Sequence, residues 1–385
     1  MRKKTTTVEE QREARRLRLA KKKKTRFLKW LWIPVAIFLI LLGINYLYEI
    51  EVLPIYPPAE TAYYTSGNHC SGIYLKDQYY LTTADGIKTL DIRGRETNSE
   101  LTASVSTFVK AMSEPVYEKS DNTVLVYDAL GTSALLYNES GIITPFSFRG
   151  KISIARMNHK GDFVVIVNEE GSKAAVKVYD NYGNERYTWS SGTGYVVDAM
   201  INPDNDMMAV LTNHVSEDGI TSKVLYFRMD SAEPIKGQII GDHVAGSVSY
   251  RGGETFVLCT DGLYLLTDGG SLSRIVDVQG RELRVFDYFT DGSMLLCFQS
   301  DSVDSYQCEI YDRSGKQTAQ FGLNAFVRIG DIADDKFVVH TKREFYNVTN
   351  RGKIMKSAVM DYDIQNVTYF QNRIAVIGQD RMMLK

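Results

Sequence analysis

Residues 152–183 read ISIARMNHKGDFVVIVNEEGSKAAVKVYDNYG. Ile152–Met157 has the make-up of a strand, His159-Lys160-Gly161-Asp162 that of a turn, and Phe163–Val167 that of a second, wholly apolar strand. Five consecutive β-branched or aromatic residues suit a strand covered on both faces. The stretch then closes on Asp180-x-x-Gly183, where an apolar strand meets a polar residue, two spacers and a glycine. Such a glycine supplies the positive φ of a tight turn, and the polar side chain bonds to the turn backbone.

The same polar-x-x-Gly signature recurs as Asp91/Gly94, Asn138/Gly141, Thr267/Gly270, Asp312/Gly315 and Thr349/Gly352, and each is expected to join a third strand to an outer fourth. With Gly183 included, successive glycines are 47, 42, 87, 45 and 37 residues apart, and the 87 spans two units. The unit without a glycine ends in Tyr226-Phe227-Arg228-Met229-Asp230. A period of about 42 residues is that of a four-stranded propeller blade. Buried second strands recur near Tyr80, Leu125, Val164, Met208, Val257, Leu295, Val338 and Ile374. The fold class is therefore all-β, an eight-bladed β-propeller, with seven blades as the alternative. The last unit has only three strands, Ile364–Phe370, Arg373–Ile377 and Arg381–Lys385, so Ala62–Thr65 is expected to complete it and close the ring. Closure removes the open sheet edges that invite aggregation.

Outward from the repeats, the N-terminus has a different character. Residues 1–29 hold 13 Lys/Arg and 3 Asp/Glu, whereas the remaining 356 hold 32 and 44. Between them residues 30–48, WLWIPVAIFLILLGINYLY, have no charge. As a helix these 19 residues extend about 28 Å, close to a bilayer core of about 30 Å. Trp30 and Trp32 at one end and Tyr46 and Tyr48 at the other suit the two interfaces. No small-residue cleavage site follows, so an uncleaved signal anchor is expected rather than a signal peptide. The positive-inside rule puts residues 1–29 in the cytoplasm against anionic headgroups, residues 49–58 in a Pro-containing spacer, and residues 59–385 outside the cell. Without a base-reading motif, nucleic acid is not an expected partner.

Taken whole, the chain resembles uncharacterised membrane-anchored proteins of Gram-positive bacteria that share a short basic tail, one span and a WD40-like β-propeller. That family is a domain of unknown function, so the resemblance implies an architecture and no activity or site residues.

Catalytic signatures are missing: there is no G-x-S-x-G, H-E-x-x-H, P-loop or EF-hand pattern. The histidines at 69, 159, 214, 243 and 340 are scattered, and no cofactor or metal site is expected. Asp331/Asp334/Asp335, Asp204/Asp206 and Asp301/Asp304 are read as hairpin-turn residues bonding to their own backbone. In the hairpin 293–312, a turn at 301–304 pairs positions summing to 605, which sets Cys297 opposite Cys308 as a candidate disulfide. Cys70 and Cys259 remain. The expected function is a non-catalytic interaction platform at the cell envelope, binding an envelope protein or cell-wall polymer. The alternative is an extracellular hydrolase or lyase with acidic residues in the propeller channel. Carboxylates converging in that channel would favour the enzyme, and an apolar or aromatic patch on a face would favour the platform.

Overall fold

The computed structural model describes residues 37–43 and 61–385, apart from residues 68, 69, 77, 92, 93, 98, 99, 232, 242, 252, 268, 269, 279, 290, 301–304, 325, 326 and 334. The chain divides into Met1–Pro58 and Ala59–Lys385. In the first unit residues 37–43 are helical. Among the described residues no helix is long and apolar enough to cross a membrane. The basic tail, the spacer and both ends of the expected span lie outside the described residues.

The second unit is an eight-bladed propeller of antiparallel sheets, numbered here in chain order. The first blade runs from Ser71 to Leu90, the second from Pro115 to Ser147, the third from Lys151 to Ser191 and the fourth from Tyr195 to Gly241. The fifth runs from Ala245 to Asp277, the sixth from Leu283 to Leu323, the seventh from Arg328 to Val359 and the eighth from Asn366 to Leu384. Thr61–Tyr63 supplies the outer strand of blade 8, with Thr61 opposite Met383 and Tyr63 opposite Arg381. The first strands of successive blades approach one another around the axis, so they form the inner wall.

Burial explains why the second strands are so apolar. Phe163 to Val167 are all buried in blade 3, as are Val124 to Asp128 in blade 2. The core is not one mass but a series of layers between blades. Val164, Ile166 and Val176 of blade 3, for example, pack on Ala199, Met208 and Val210 of blade 4. Each such Val, Ile or Met side chain contributes about 1.5–3 kcal/mol when fully removed from water.

Three features depart from the sequence reading. Blade 1 has three strands, and the outer position is taken by an α-helix, Glu100–Lys110. The turn at Asp91 and Gly94 therefore leads toward this helix and not into an outer fourth strand. Val105, Val109 and Met112 are buried between Ile73, Leu75 and Ile87 of blade 1 and Val124, Val126 and Leu135 of blade 2. With Phe108 they follow the i, i+3, i+4, i+7 spacing of an amphipathic helix. Ser106 Oγ accepts the Ile87 N–H at 3.1 Å, partly replacing the missing strand. Next, Asp331 lies within the first strand of blade 7, Arg328–Ile332, rather than in a turn. Lastly, the second and third strands of blade 4, Met207–Ser216 and Gly219–Arg228, are ten residues each and project beyond their neighbours in the sheet.

Candidate functional site

The penultimate residues of the eight first strands occupy equivalent places on the inner wall. They are the acids Glu118, Asp287 and Asp331, the cation Arg156, Met200, and the tyrosines Tyr74, Tyr250 and Tyr369. Asp198 lies two residues before Met200. Charge therefore converges in the channel, and the geometry shows how it is used.

Arg156 joins two carboxylates, with Nη1 3.4 Å from Glu118 Oε1 and Nε 3.3 Å from Asp198 Oδ1. Asp198 is 1% exposed. Its Oδ1 also accepts the Ala199 N–H, and Oδ2 accepts the Ser247 hydroxyl and the Val248 N–H, each at 3.0 Å. Glu118 Oε2 accepts the Met157 N–H at 3.4 Å, and Asp331 Oδ2 accepts the Tyr369 N–H at 3.0 Å. In all three cases a donor belongs to the next blade. These carboxylates are staples across the seams between blades 2 and 3, 4 and 5, and 7 and 8.

Asp287 is different. Its Oδ1 accepts the neighbouring Tyr288 N–H at 2.7 Å, and no cation lies within ion-pair distance among the described residues. Burial pushes its carboxyl above the usual carboxylate range, against the opposing Tyr288 N–H and the Arg251 charge. Burial likewise raises Glu118 despite Arg156. Arg251 sits over the Tyr288 ring at 5.0 Å and donates from Nη1 to the Tyr250 carbonyl oxygen at 2.9 Å. Burial lowers its pKa. Among the described residues no three His, Cys, Asp or Glu are grouped so as to hold a metal ion.

The repeat-turn residues do not join this channel group. Gly94, Gly141, Gly183, Gly270, Gly315 and Gly352 all have positive φ, from 75° at Gly352 to 152° at Gly141. In five turns the polar residue's N–H donates to the carbonyl four residues on: Asp91 to Arg95, Asp180 to Asn184, Thr267 to Ser271, Asp312 to Lys316 and Thr349 to Lys353. Asn138 and Gly141 instead bracket a two-residue hairpin and pair with each other directly. All of these turns but that at Gly141 sit against the preceding blade: a Cβ at Gly270 would lie 3.1 Å from Lys236 Nζ of blade 4, and one at Gly94 would lie 2.9 Å from Leu384 Cδ1 of blade 8. The Ser314 hydroxyl and the Lys316 N–H hold the Asp312 carboxyl below its ordinary value. These twelve residues build turns.

Asp206 exchanges hydrogen bonds with the Asn202 side chain within its own turn. Asp301, Asp304, Asp334 and His69 lie outside the described residues. His340 is buried and bonded through Nδ1 to the Thr341 carbonyl, and burial lowers its pKa. Cys297 and Cys308 are register partners, fully buried, with Cα atoms 4.0 Å apart, the placement of a cross-strand disulfide. Cys70 and Cys259 are buried, and burial pushes the thiols up to about 11 and about 12.

Glu118, Arg156, Asp198 and Asp287 escaped the sequence reading, which weighed acids in clusters. The legible signal was a charged residue near the end of an otherwise apolar first strand, as in ISIARM over residues 152–157.

The loops joining second to third strands and those joining consecutive blades share one face, because strands within a blade alternate in direction. On that face the long hairpin of blade 4 exposes Val215 (58%), beside Tyr195 (51%) and Val244 (40%). Its base is anchored by Asn213 Nδ2 to the Ala245 carbonyl at 3.0 Å and by the Ser222 hydroxyl to the His243 carbonyl. Lys173 Nζ lies 3.0 Å from the Tyr195 hydroxyl and over its ring.

Solved structures resemble this architecture. The computationally designed Ika8 protein superposes with a TM-score of 0.61 at 12% identity, covering 84% of this chain and 98% of that one. The Dos1 propeller gives 0.58 at 10% identity, covering 86% and 95%. BamB from Moraxella catarrhalis gives 0.51 at 10% identity, covering 86% and 100%. At such identities the likeness is one of fold alone. No curated protein matches the sequence. Residues 72–383 match the model of a family described as one of unknown function.

Proposed function

The chain belongs to the DUF5711 family of unknown function, and on that premise we propose that it is a membrane-tethered, extracellular interaction platform without catalytic activity. The observation that carries this reading is the state of the channel carboxylates. Glu118, Asp198 and Asp331 each accept a backbone N–H from the next blade, so three of the four acids named on the inner wall are engaged in holding the ring together. A general acid or base must instead be free to meet a substrate proton at hydrogen-bond distance. The rigid face bearing Tyr195, Val215 and Val244 supplies the exposed aromatic and aliphatic side chains on which interfaces anchor. The tether comes from the uncharged run at residues 30–48, and it raises the local concentration of the propeller at the envelope. The partner is an envelope protein or a cell-wall polymer.

Asp287 offers the sharpest test, because its carboxylate is the channel acid with the fewest structural duties. Asp287→Asn in the full chain should leave the cellular role of the protein intact, while secreting residues 49–385 without the span should abolish it. A secreted propeller that rescues a deletion strain, together with an Asp287→Asn chain that does not, would establish the hydrolase or lyase instead.

A further inference from the structure

The ring is closed by the segment that follows the expected tether. Beyond the three register pairs of Thr61–Tyr63 with Arg381–Met383, the Tyr64 N–H donates to the Asp380 carbonyl at 3.0 Å. The Tyr64 hydroxyl lies 2.9 Å from the Gly378 carbonyl oxygen and 2.8 Å from that of Arg381. The Gly67 N–H donates to the Gln379 carbonyl at 3.0 Å. Arg381 lies over the Tyr63 ring at 5.6 Å. Every one of these bonds joins residues 61–67 to residues 378–383, more than 300 positions away in the chain.

The closure is short. Among the described residues it has three register pairs, where the outer strands of blades 2 to 7 have five or six. Beneath the segment, Met382 and Leu384 are fully buried and belong to the core layer that joins blades 8 and 1. Losing the strand uncovers that layer and leaves the Arg381–Leu384 backbone as an open edge.

We propose that residues 61–67 are a latch that makes closure of the propeller conditional on the chain next to the tether. Cleavage on the tether side of Thr61 releases a closed ring, and cleavage beyond Gly67 releases one that opens between blades 8 and 1. The proposal deepens the tethered-platform reading, since it says which release event preserves the platform. Its test needs no partner and stands if that reading fails.

The experiment uses the full chain with a specific protease site inserted either after Pro58 or after Gly67. Hydrogen exchange is followed at the amides of Arg373–Ile377 and Arg381–Leu384. Cutting after Pro58 should leave exchange unchanged, and cutting after Gly67 should speed it about tenfold or more. Ala62→Cys with Met382→Cys, register partners, should form a disulfide that keeps the latch seated and restores slow exchange after the second cut. Unchanged exchange after the cut beyond Gly67 would overturn the proposal, as would equal acceleration by both cuts or failure of the disulfide to restore protection.

Discussion

Asp198 and Asp287 are both channel carboxylates, and their surroundings give them opposite roles. Asp198 has four hydrogen-bonding or ionic partners, so Asp198→Ala would leave Arg156 with Glu118 alone and the Val248 N–H without its acceptor. The expected loss is about 1–3 kcal/mol, read from urea denaturation. Asp287 pays for its burial with a raised pKa. As pH climbs from the ordinary carboxylate range to that raised value, the unfolded chain has already lost this proton while the folded one retains it. The native state binds more protons across that window, so this group makes stability fall as pH rises. Asp287→Asn should remove that decline. Urea midpoints of the variant and its parent, compared from about pH 4 to about pH 8, should converge at the acid end and diverge toward neutrality. A variant that parallels its parent throughout would show that the carboxyl titrates normally.

At the level of elements, the turns show why the same backbone angle can have different costs. Gly171 and Gly315 have φ of 89° and 81°, yet a Cβ at Gly171 meets nothing within 4 Å, whereas one at Gly315 would lie 2.0 Å from the Ile275 carbonyl oxygen in the adjacent blade. Gly171→Ala should cost about 1–2 kcal/mol for the left-handed conformation alone. Gly315→Ala should add about 1–3 kcal/mol for displacing the blade 5 strand, which thermal denaturation of both variants will measure. Glycine at the fourth turn position was legible in the sequence, but the approach of the neighbouring blade was not. The register of Cys297 and Cys308 was legible because a hairpin with a defined turn permits only one pairing. Peptide mapping without reduction should recover them as a linked pair, and free thiols at both positions would exclude the disulfide. The helix Glu100–Lys110 was hidden by its brevity. Its few turns of amphipathic spacing in a Ser/Thr-rich stretch do not stand out against strands, and its burial between blades 1 and 2 stabilises it more than its own composition does.

For the molecule as a whole, the charge division between residues 1–29 and the remainder leads to a topology prediction. A single cysteine placed at Lys4 should resist a membrane-impermeant thiol reagent in intact cells, while one placed at exposed Tyr182 should react. The reverse pattern would invert the chain. The sequence by itself determined the repeat, favoured eight blades over seven and pointed to the strand that completes blade 8, because strand period, turn chemistry and apolar burial are local properties repeated often enough to be counted. Only the tertiary structure decided which acids meet in the channel and what they bond. Glu118, Asp198 and Asp331 reach backbone donors 38 to 50 residues further on. Those contacts follow from the wrapping of one blade against the next, and a linear pattern contains no distance between residues on successive blades.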